Sequence, residues 1–442
     1  MKNFERINRH LYKNSKNVCD FFYNKKSDYL LEKYPKFFNN KFLNFFLKND
    51  KITWDKKTKI KKIKFPKIFS ITENYDETLG IIKEVAGIRY SSRDIELDFS
   101  KCEIIEFTAS SLLIVILLNI EDERKINRKN FAIKLHSNRN IKKDLYINGI
   151  IEYLDIKRSK RGKLCDFPNE EREKQEHFKT LSLLGGGETT ICFSERLINR
   201  NMFIPSYMGE TINEPIKFIN ESLKTKGFEL TKKGEKNFKE IIGEIIGNSR
   251  IHLGNEFNQY FMIGNYYNSE IGKGSLVFFN FGDTIYQTLK KTKSSKIKEI
   301  IENLLKIHKN NNSLDTNFTE EALLTLLALQ DKISSEYKEE ESRGTGTIKM
   351  IRNFFKISNF NSLTNAPKAF VISGRTIIKL DREFQGMQNN KEVKLTFNNE
   401  NSLKYKPNNN YVKVNKKFYP GTIILIEFNI DKEWLIKGGK DE

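Results

Sequence analysis

Apolar and polar positions along the chain sort it into alternating strand-like and helix-like segments. Between 51 and 156, "KIKKIKFPKIF" repeats apolar residues at every second position, the period of a half-buried strand. "ETLGIIKEVAGI" changes to helical spacing. "DIELDFSKCEIIEF" reads as strand and turn, "TASSLLIVILLNIEDERK" as a long buried helix, "NFAIKLHS" as a strand and "NIKKDLYINGIIEYLD" as a helix. Strands alternating with helices at this spacing predict an α/β domain. The charged, aperiodic stretch 157–176 predicts a linker.

A second α/β unit is predicted over 177–430. "HFKTLSLLGGGETTICF" has the form of a β-hairpin with a glycine turn, and its glycine run lacks the Gly-Lys-Ser/Thr ending of a P-loop. Helices are expected around "GETINEPIKFINESLKTKG" and "GEKNFKEIIGEIIGNSRIHLG", followed by the strands "YFMIGNYYN" and "GSLVFFNFG". From about 284 to 340 a mobile helical stretch is expected. "GTIKMIRNFFKI" predicts another helix, and "KAFVISGRTIIKL", "EVKLTF" and "GTIILIEFNI" predict closing strands. Residues 431–442 are left as a tail. In residues 1–50, Phe37, Phe38, Leu43, Phe45, Phe46 and Leu47 suit short helices capping the next domain. Their interleaving with basic residues also suits single-stranded nucleic acid.

Bulk composition narrows the class. The 442 residues are enough for two or three domains with sizeable cores. The net charge of +20 is compatible with a polyanion partner, but the excess of Lys, Asn, Ile and Phe has the character of AT-rich bacterial coding. The longest apolar run, Ser110–Ile120, passes straight into "EDERK" and falls short of the roughly 18 residues a spanning helix needs. The N-terminus has no apolar signal core. Four scattered cysteines without a CxxC indicate neither zinc nor a disulfide framework, and fit a reducing cytoplasm.

The chemistry concentrates in "GEIIGNSRIHLG" (243–254). On a helix, Glu244, Asn248 and His252 are successive i,i+4 neighbours and share a face. Ile241, Ile242, Ile245 and Ile246 occupy the others. Carboxylate and carboxamide beside such an apolar run need polar partners, and a nucleotide with a metal ion would supply them. Gly243 and Gly247 each cost a helix interior about 1 kcal/mol, which suggests a close approach to the backbone. Downstream, Asn280, Gly282 and Asp283 end a strand. In "ESRGTGTIKMI", Gly344 and Gly346 open a helix whose N-terminal amides and dipole suit phosphate, with Arg343 as an added charged donor. Gly421 and Thr422 enter the last strand.

Two family resemblances follow from these motifs. "IELDFSKCEIIEFTASSLLIVIL" resembles the STAS domain of anti-sigma factor antagonists, a mixed sheet with helices whose strand-to-helix loop carries a phosphorylatable Ser or Thr. The usual Asp-Ser-Ser-Gly is absent here; Thr108, Ser110 and Ser111 are nearby hydroxyls with the alternative role of capping the helix. Taken in order, "EIIGNSRIHLG", "NFGDT" and "ESRGTGTIKMI" resemble the GHKL ATPases, with the Bergerat α/β sandwich, and are closest to the anti-sigma factor serine kinases. That resemblance implies ATP and Mg²⁺ as cofactors and Glu244 as general base. It implies Asn248 as the Mg²⁺ ligand, with His252 beside the nucleotide. Asn280 and Gly282 would lie at the adenine, Asn280 standing where the family has an aspartate. Arg343, Gly344 and Gly346 would hold phosphate, and Thr422 would sit near adenine. Thr284 replaces the second glycine of its box, and the long segment after it suits an ATP lid.

Several activities remain open on the sequence. The chain is expected to hydrolyse ATP, or to transfer its γ-phosphate to a protein Ser/Thr such as a partner or its own STAS-like loop. Alternatively it is a non-catalytic, nucleotide-controlled switch or clamp, with nucleic acid contacted through the basic N-terminus. A regulatory protein partner is expected, relatives often form homodimers, and no membrane association is expected.

Overall fold

A computed structural model describes residues 41–47, 60–88, 94–127, 131–134, scattered positions between 141 and 150, 180–186, 189–192, 204–205, 208–251, 260–266, 271–330, 333, 346–358, 366–381 and 395–438. The chain divides into two compact units, Met1–Leu164 and Cys165–Glu442. The division falls inside the 157–176 segment expected to be a linker, which lies outside the described residues. Both units are mixed α/β, and no described helix is long and apolar enough to cross a membrane.

The first unit contains α1 (Lys41–Leu47), β1 (Ile60–Lys64), β2 (Ile68–Phe69), α2 (Tyr75–Gly87), β3 (Asp94–Asp98), β4 (Ile104–Ile105), α3 (Phe107–Asn127) and β5 (Phe131–Lys134). β1, β3 and β5 form a parallel sheet in that order, and β2 and β4 pair in parallel. Parallel strands need helical crossovers, and the helices predicted between them supply these. Leu43, Phe46 and Leu47 of α1 are buried, as expected of a capping helix, whereas Phe37 and Phe38 lie outside the described residues. The apolar run in α3 is core: Leu112, Leu113, Val115, Ile116, Leu117 and Ile120 are fully buried.

At the start of α3, the Glu106 carboxylate turns back to the β2–α2 loop. It accepts from the Ser70 hydroxyl at 2.7 Å and from the amides of Ile71 and Thr72. Thr108, Ser110 and Ser111 are all fully buried. Ser110 does not cap the helix; its hydroxyl donates to the carbonyls of Glu106 (2.7 Å) and Phe107 (3.1 Å).

The second unit is built on a seven-stranded antiparallel sheet. In chain order it contains β6 (Thr180–Gly186), β7 (Thr189–Cys192), β8 (Ile204–Pro205), α4 (Met208–Lys224), β9 (Phe228–Leu230), α5 (Lys232–Ile251), β10 (Tyr260–Tyr266) and β11 (Lys273–Phe281). There follow α6 (Ile285–Lys290), α7 (Ser295–Asn310), α8 (Glu320–Ala328), α9 (Gly346–Ile357), β12 (Lys368–Leu380), β13 (Val412–Asn429) and β14 (Leu435–Lys437). The sheet order is β12-β13-β11-β10-β6-β7-β8, with β14 and β9 as a separate pair. The glycine-turn hairpin is present as β6–β7, with Gly186 opposite Thr189.

Cross-strand partners share a face, so the register sorts the sheet's side chains. Met262, Phe278, Ile424 and Val371 form one row, and Tyr260, Asn280, Thr422 and Ser373 form the row two residues along. Both rows lie on the face whose apolar residues join α4, α5, α8 and α9 in one core. Phe261, Phe281 and Tyr419 pack together on the other face, with ring centroids 5.4–5.8 Å apart in successive pairs.

The segment after Asp283 is helical, as expected, over its described length, and its apolar residues are packed. Leu289, Ile297, Ile301, Leu304, Phe318 and Ala322–Leu327 are buried or belong to the core, because their spacing gives α7 and α8 apolar stripes. His308, fully buried on α7, is held between the Ser313 hydroxyl and the Leu403 carbonyl, each at 2.8 Å. Two expectations fail here. "EVKLTF" gives no strand over its described part. Leu395–Phe397 instead loops against α8, with the Leu395 amide on Gln330 Oε1 at 3.0 Å and Phe397 at φ 56°. The expected tail is structural: β14 pairs with β9, and Trp434 is buried.

Candidate functional site

The glutamate–asparagine motif of "GEIIGNSRIHLG" forms a helix as far as Ile251. In α5, Ile241, Ile242, Ile245 and Ile246 are buried in the core, while Glu244 and Gly247 are only half-buried. The apolar and polar faces therefore separate as the i,i+4 spacing requires. Asn248 lies on this helix one turn beyond Glu244; its side chain, and all of His252, lie outside the described residues. At Gly243 a Cβ would stand 3.4 Å from Ile212 Cδ1 of α4, an ordinary van der Waals contact, so packing does not by itself require glycine there.

One turn before Glu244, Glu240 extends the polar face and makes the contact that orients the site. Its Oε2 accepts from Nδ2 of the buried Asn353 on α9 at 2.7 Å. The C-terminal end of α9 meets the N-terminal end of α5 through Trp434: Nε1 donates to the Lys356 carbonyl at 3.1 Å, and the Lys233 ammonium lies 5.0 Å over the ring. The Thr231 amide donates to the Trp434 carbonyl at 2.9 Å. The two helices thus run antiparallel. From Glu240 to Asn248 is ~12 Å along the axis, and from Asn353 back to Gly346 is ~10 Å. The first turn of α9 therefore lies beside the Asn248 end of α5. Sequence reasoning found both ends but missed Glu240 and Asn353, although Glu240 continues the same i,i+4 series.

α9 is fixed to the sheet at its other end. Asp431 N donates to the Ile357 carbonyl at 3.0 Å, and Ser358 bridges to Ile430. Phe238, early in α5, meets Phe428 edge-on at 5.4 Å. Beyond α5 the chain re-enters the sheet at Tyr260, the cross-strand partner of Asn280.

The expected base-binding residues meet in that row. Asn280, on β11, lies directly across from Thr422 on β13, and Thr422 across from Ser373 on β12. Asn280 is 5 % exposed and Ser373 fully buried. The Ser373 hydroxyl accepts from the Ile285 amide at 2.9 Å, stands 3.0 Å from Thr422 Oγ1 and lies 3.3 Å from the Gly421 carbonyl. Nothing in the sequence marked Ser373, which shares a largely apolar strand with Thr376. A register shift after it, at Gly374 (φ 62°), re-aims the strand there. Gly421, at φ 138°, passes against the Asn280 carbonyl so closely that no Cβ fits.

Gly282 follows directly; its amide donates to the Pro420 carbonyl at 3.3 Å. Thr284, expected to alter the start of a lid, is the N-cap of α6 in a capping box with Gln287. Gly346 opens α9, while Arg343 and Gly344 lie outside the described residues. The structure therefore brings Glu244, the Asn248 position and Gly346 together at one end of a helix pair, and Asn280 and Thr422 together in one sheet row.

Among the described residues no cluster of three or more His, Cys, Asp or Glu is placed to hold a metal ion. Asn248, the Mg²⁺ ligand that the family resemblance implies, has its side chain outside the described residues. No model of a known protein family, no curated protein and no solved structure matches the chain.

Proposed function

We propose that the Cys165–Glu442 unit binds ATP with Mg²⁺ in the manner of GHKL ATPases, and either hydrolyses it or passes its γ-phosphate to a protein Ser/Thr. The first unit is then a STAS-like regulatory module of a cytoplasmic protein. The observation that supports this reading best is the antiparallel α5–α9 pair, which sets a carboxylate, a carboxamide position and a glycine-started helix N-terminus at one end. Phosphate oxygens meet the first-turn amides of α9, which have no partner within the helix, and its positive dipole end. Asn248 holds Mg²⁺, which when bound neutralises phosphate charge. The half-buried Glu244 carboxylate takes the proton of the attacking water or hydroxyl, and Asn280 with Thr422 receives the base.

Calorimetric titration of the full-length protein with ATP and Mg²⁺ tests the binding. Asn248→Ala is expected to abolish the Mg²⁺-dependent part, and affinity equal to wild type would remove Asn248 from the site. Glu244→Ala is expected to keep binding but lower turnover by about 10²–10⁴-fold; full turnover would end its role as base. With γ-labelled ATP, label on protein identifies a kinase, and label in free phosphate alone identifies an ATPase.

A further inference from the structure

We infer that the Glu106 carboxylate is a latch on the first unit. Bound, it closes the first turn of α3 over Thr108 and Ser111; released, it opens that turn to solvent while the sheet stays intact. The latch lies wholly within the first unit and is independent of nucleotide binding by the second. Three donors of the β2–α2 loop converge on one atom, Glu106 Oε2: the Ser70 hydroxyl at 2.7 Å and the amides of Ile71 and Thr72. Hydrogen bonds to an ionised acceptor are the strong ones. Because all three end on a single oxygen of one side chain, one rotation of that side chain breaks them together.

The two sides of the latch are braced separately. The loop keeps its shape through bonds of its own. The Glu73 amide donates to Ser70 Oγ at 3.0 Å, the Ser70 amide to Thr78 Oγ1 at 3.0 Å, and Asn74 Nδ2 to the Ile68 carbonyl at 2.9 Å. β4 is held to β2 by backbone, with the Glu106 amide on the Phe69 carbonyl at 2.9 Å and the Ile104 amide on the Lys67 carbonyl at 3.0 Å. Release of the carboxylate therefore leaves loop and strands in place. The closed turn is held against an opposing pull. Thr108 Oγ1 and Ser111 Oγ are fully buried with no hydrogen-bond partner among the described residues. A buried hydroxyl without a partner favours any arrangement that hydrates it, and opening the turn is such an arrangement.

Two measurements on the full-length protein test the latch. One is alkylation of Thr108→Cys, read at its own peptide; the other is hydrogen exchange over peptides spanning 68–74 and 106–112. Thr108→Cys is expected to react at least about 100-fold more slowly than Lys101→Cys at a nearby exposed position. Adding Glu106→Ala is expected to speed the reaction of Thr108→Cys by about tenfold or more. Exchange over 68–74 and 106–112 should quicken with it, while exchange over β1 and β3 stays unchanged. Thr108→Cys reacting as fast as Lys101→Cys without the second substitution overturns the inference, because the turn is then not closed. An alkylation rate unmoved by Glu106→Ala overturns it by showing that the carboxylate does not hold the turn. Equal acceleration of exchange over β1 and β3 also overturns it, by making Glu106 a support of the whole unit. If Thr108→Cys does not fold, the exchange pattern of Glu106→Ala against wild type decides alone.

Discussion

Two hydroxyls three residues apart on β12 are expected to respond in opposite directions to removal. Ser373 is fully buried and accepts from the Ile285 amide at 2.9 Å, while Thr376, also fully buried, has a hydroxyl with no hydrogen-bond partner among the described residues. Ser373→Ala strands a buried amide and deprives Thr422 of its neighbour, at a cost of about 1–3 kcal/mol. For a unit of this size that lowers the melting temperature by about 2–8 °C. Thr376→Val removes an unsatisfied polar atom at nearly constant shape, so its effect is between neutral and about 2 kcal/mol stabilising. Urea denaturation gives the free energies, and hydrogen exchange localises the first effect, because the Ile285 amide should lose protection only in Ser373→Ala. The reasoning fails if Ser373→Ala matches wild type within about 0.5 kcal/mol, or if Thr376→Val is the more destabilising of the two.

Neighbouring acids at the start of α8 should give opposite pH dependences. The Lys290 ammonium, 2.8 Å from Glu320, holds that carboxyl below the ordinary glutamate value of 4.5, so its contribution is present above 4.5 and lost as pH falls through the lower folded value. Burial raises Glu321 above 4.5 despite Arg375, so its penalty is absent below 4.5 and grows as pH rises through the folded value. Stability curves of Glu320→Gln and Glu321→Gln between pH 3 and 8 should each lose one slope, the first at the acid side and the second above 4.5; identical curves would contradict both assignments. At the C-terminus, removal of residues 432–442 deletes the buried Trp434 and the β14–β9 pair and is expected to cost more than about 3 kcal/mol. Thermal unfolding unchanged by that truncation would show the segment to be dispensable.

Much of the scaffold was legible because periodicity reports burial directly. Ile241, Ile242, Ile245 and Ile246 of α5 are buried, and β10 and β11 lie where alternation and turn glycines put them, whereas β13 begins at Val412, so that Gly421 lies inside it and does not open it. In "KKTKSSKIKEIIENLLKIHK", Ile297, Ile301, Leu304 and His308 recur at helical spacing and fill a core. The misreadings have physical causes. "EVKLTF" alternates like a strand, but side-chain contacts with Gln330 and a positive φ at Phe397 hold its end as a loop. Trp434 gave no periodic signal, since its role depends on what two distant helices offer it. Ser373 was invisible for a related reason: its importance lies in strand register, which is set by pairing between residues about 50 and 90 positions apart.

The indole that joins the lower ends of α5 and α9 also dictates how that pair can open. Trp434 and the Ser358–Ile430 bridge act as a fulcrum, so any splaying of the two rods is a scissor motion that is smallest at the rivet and largest at the jaws. The jaws are Gly346 and the Asn248 turn. A jaw of ~10 Å beyond the Glu240–Asn353 cross-tie converts a few degrees of rotation into roughly an ångström of gape, and loss of that tie lengthens the lever.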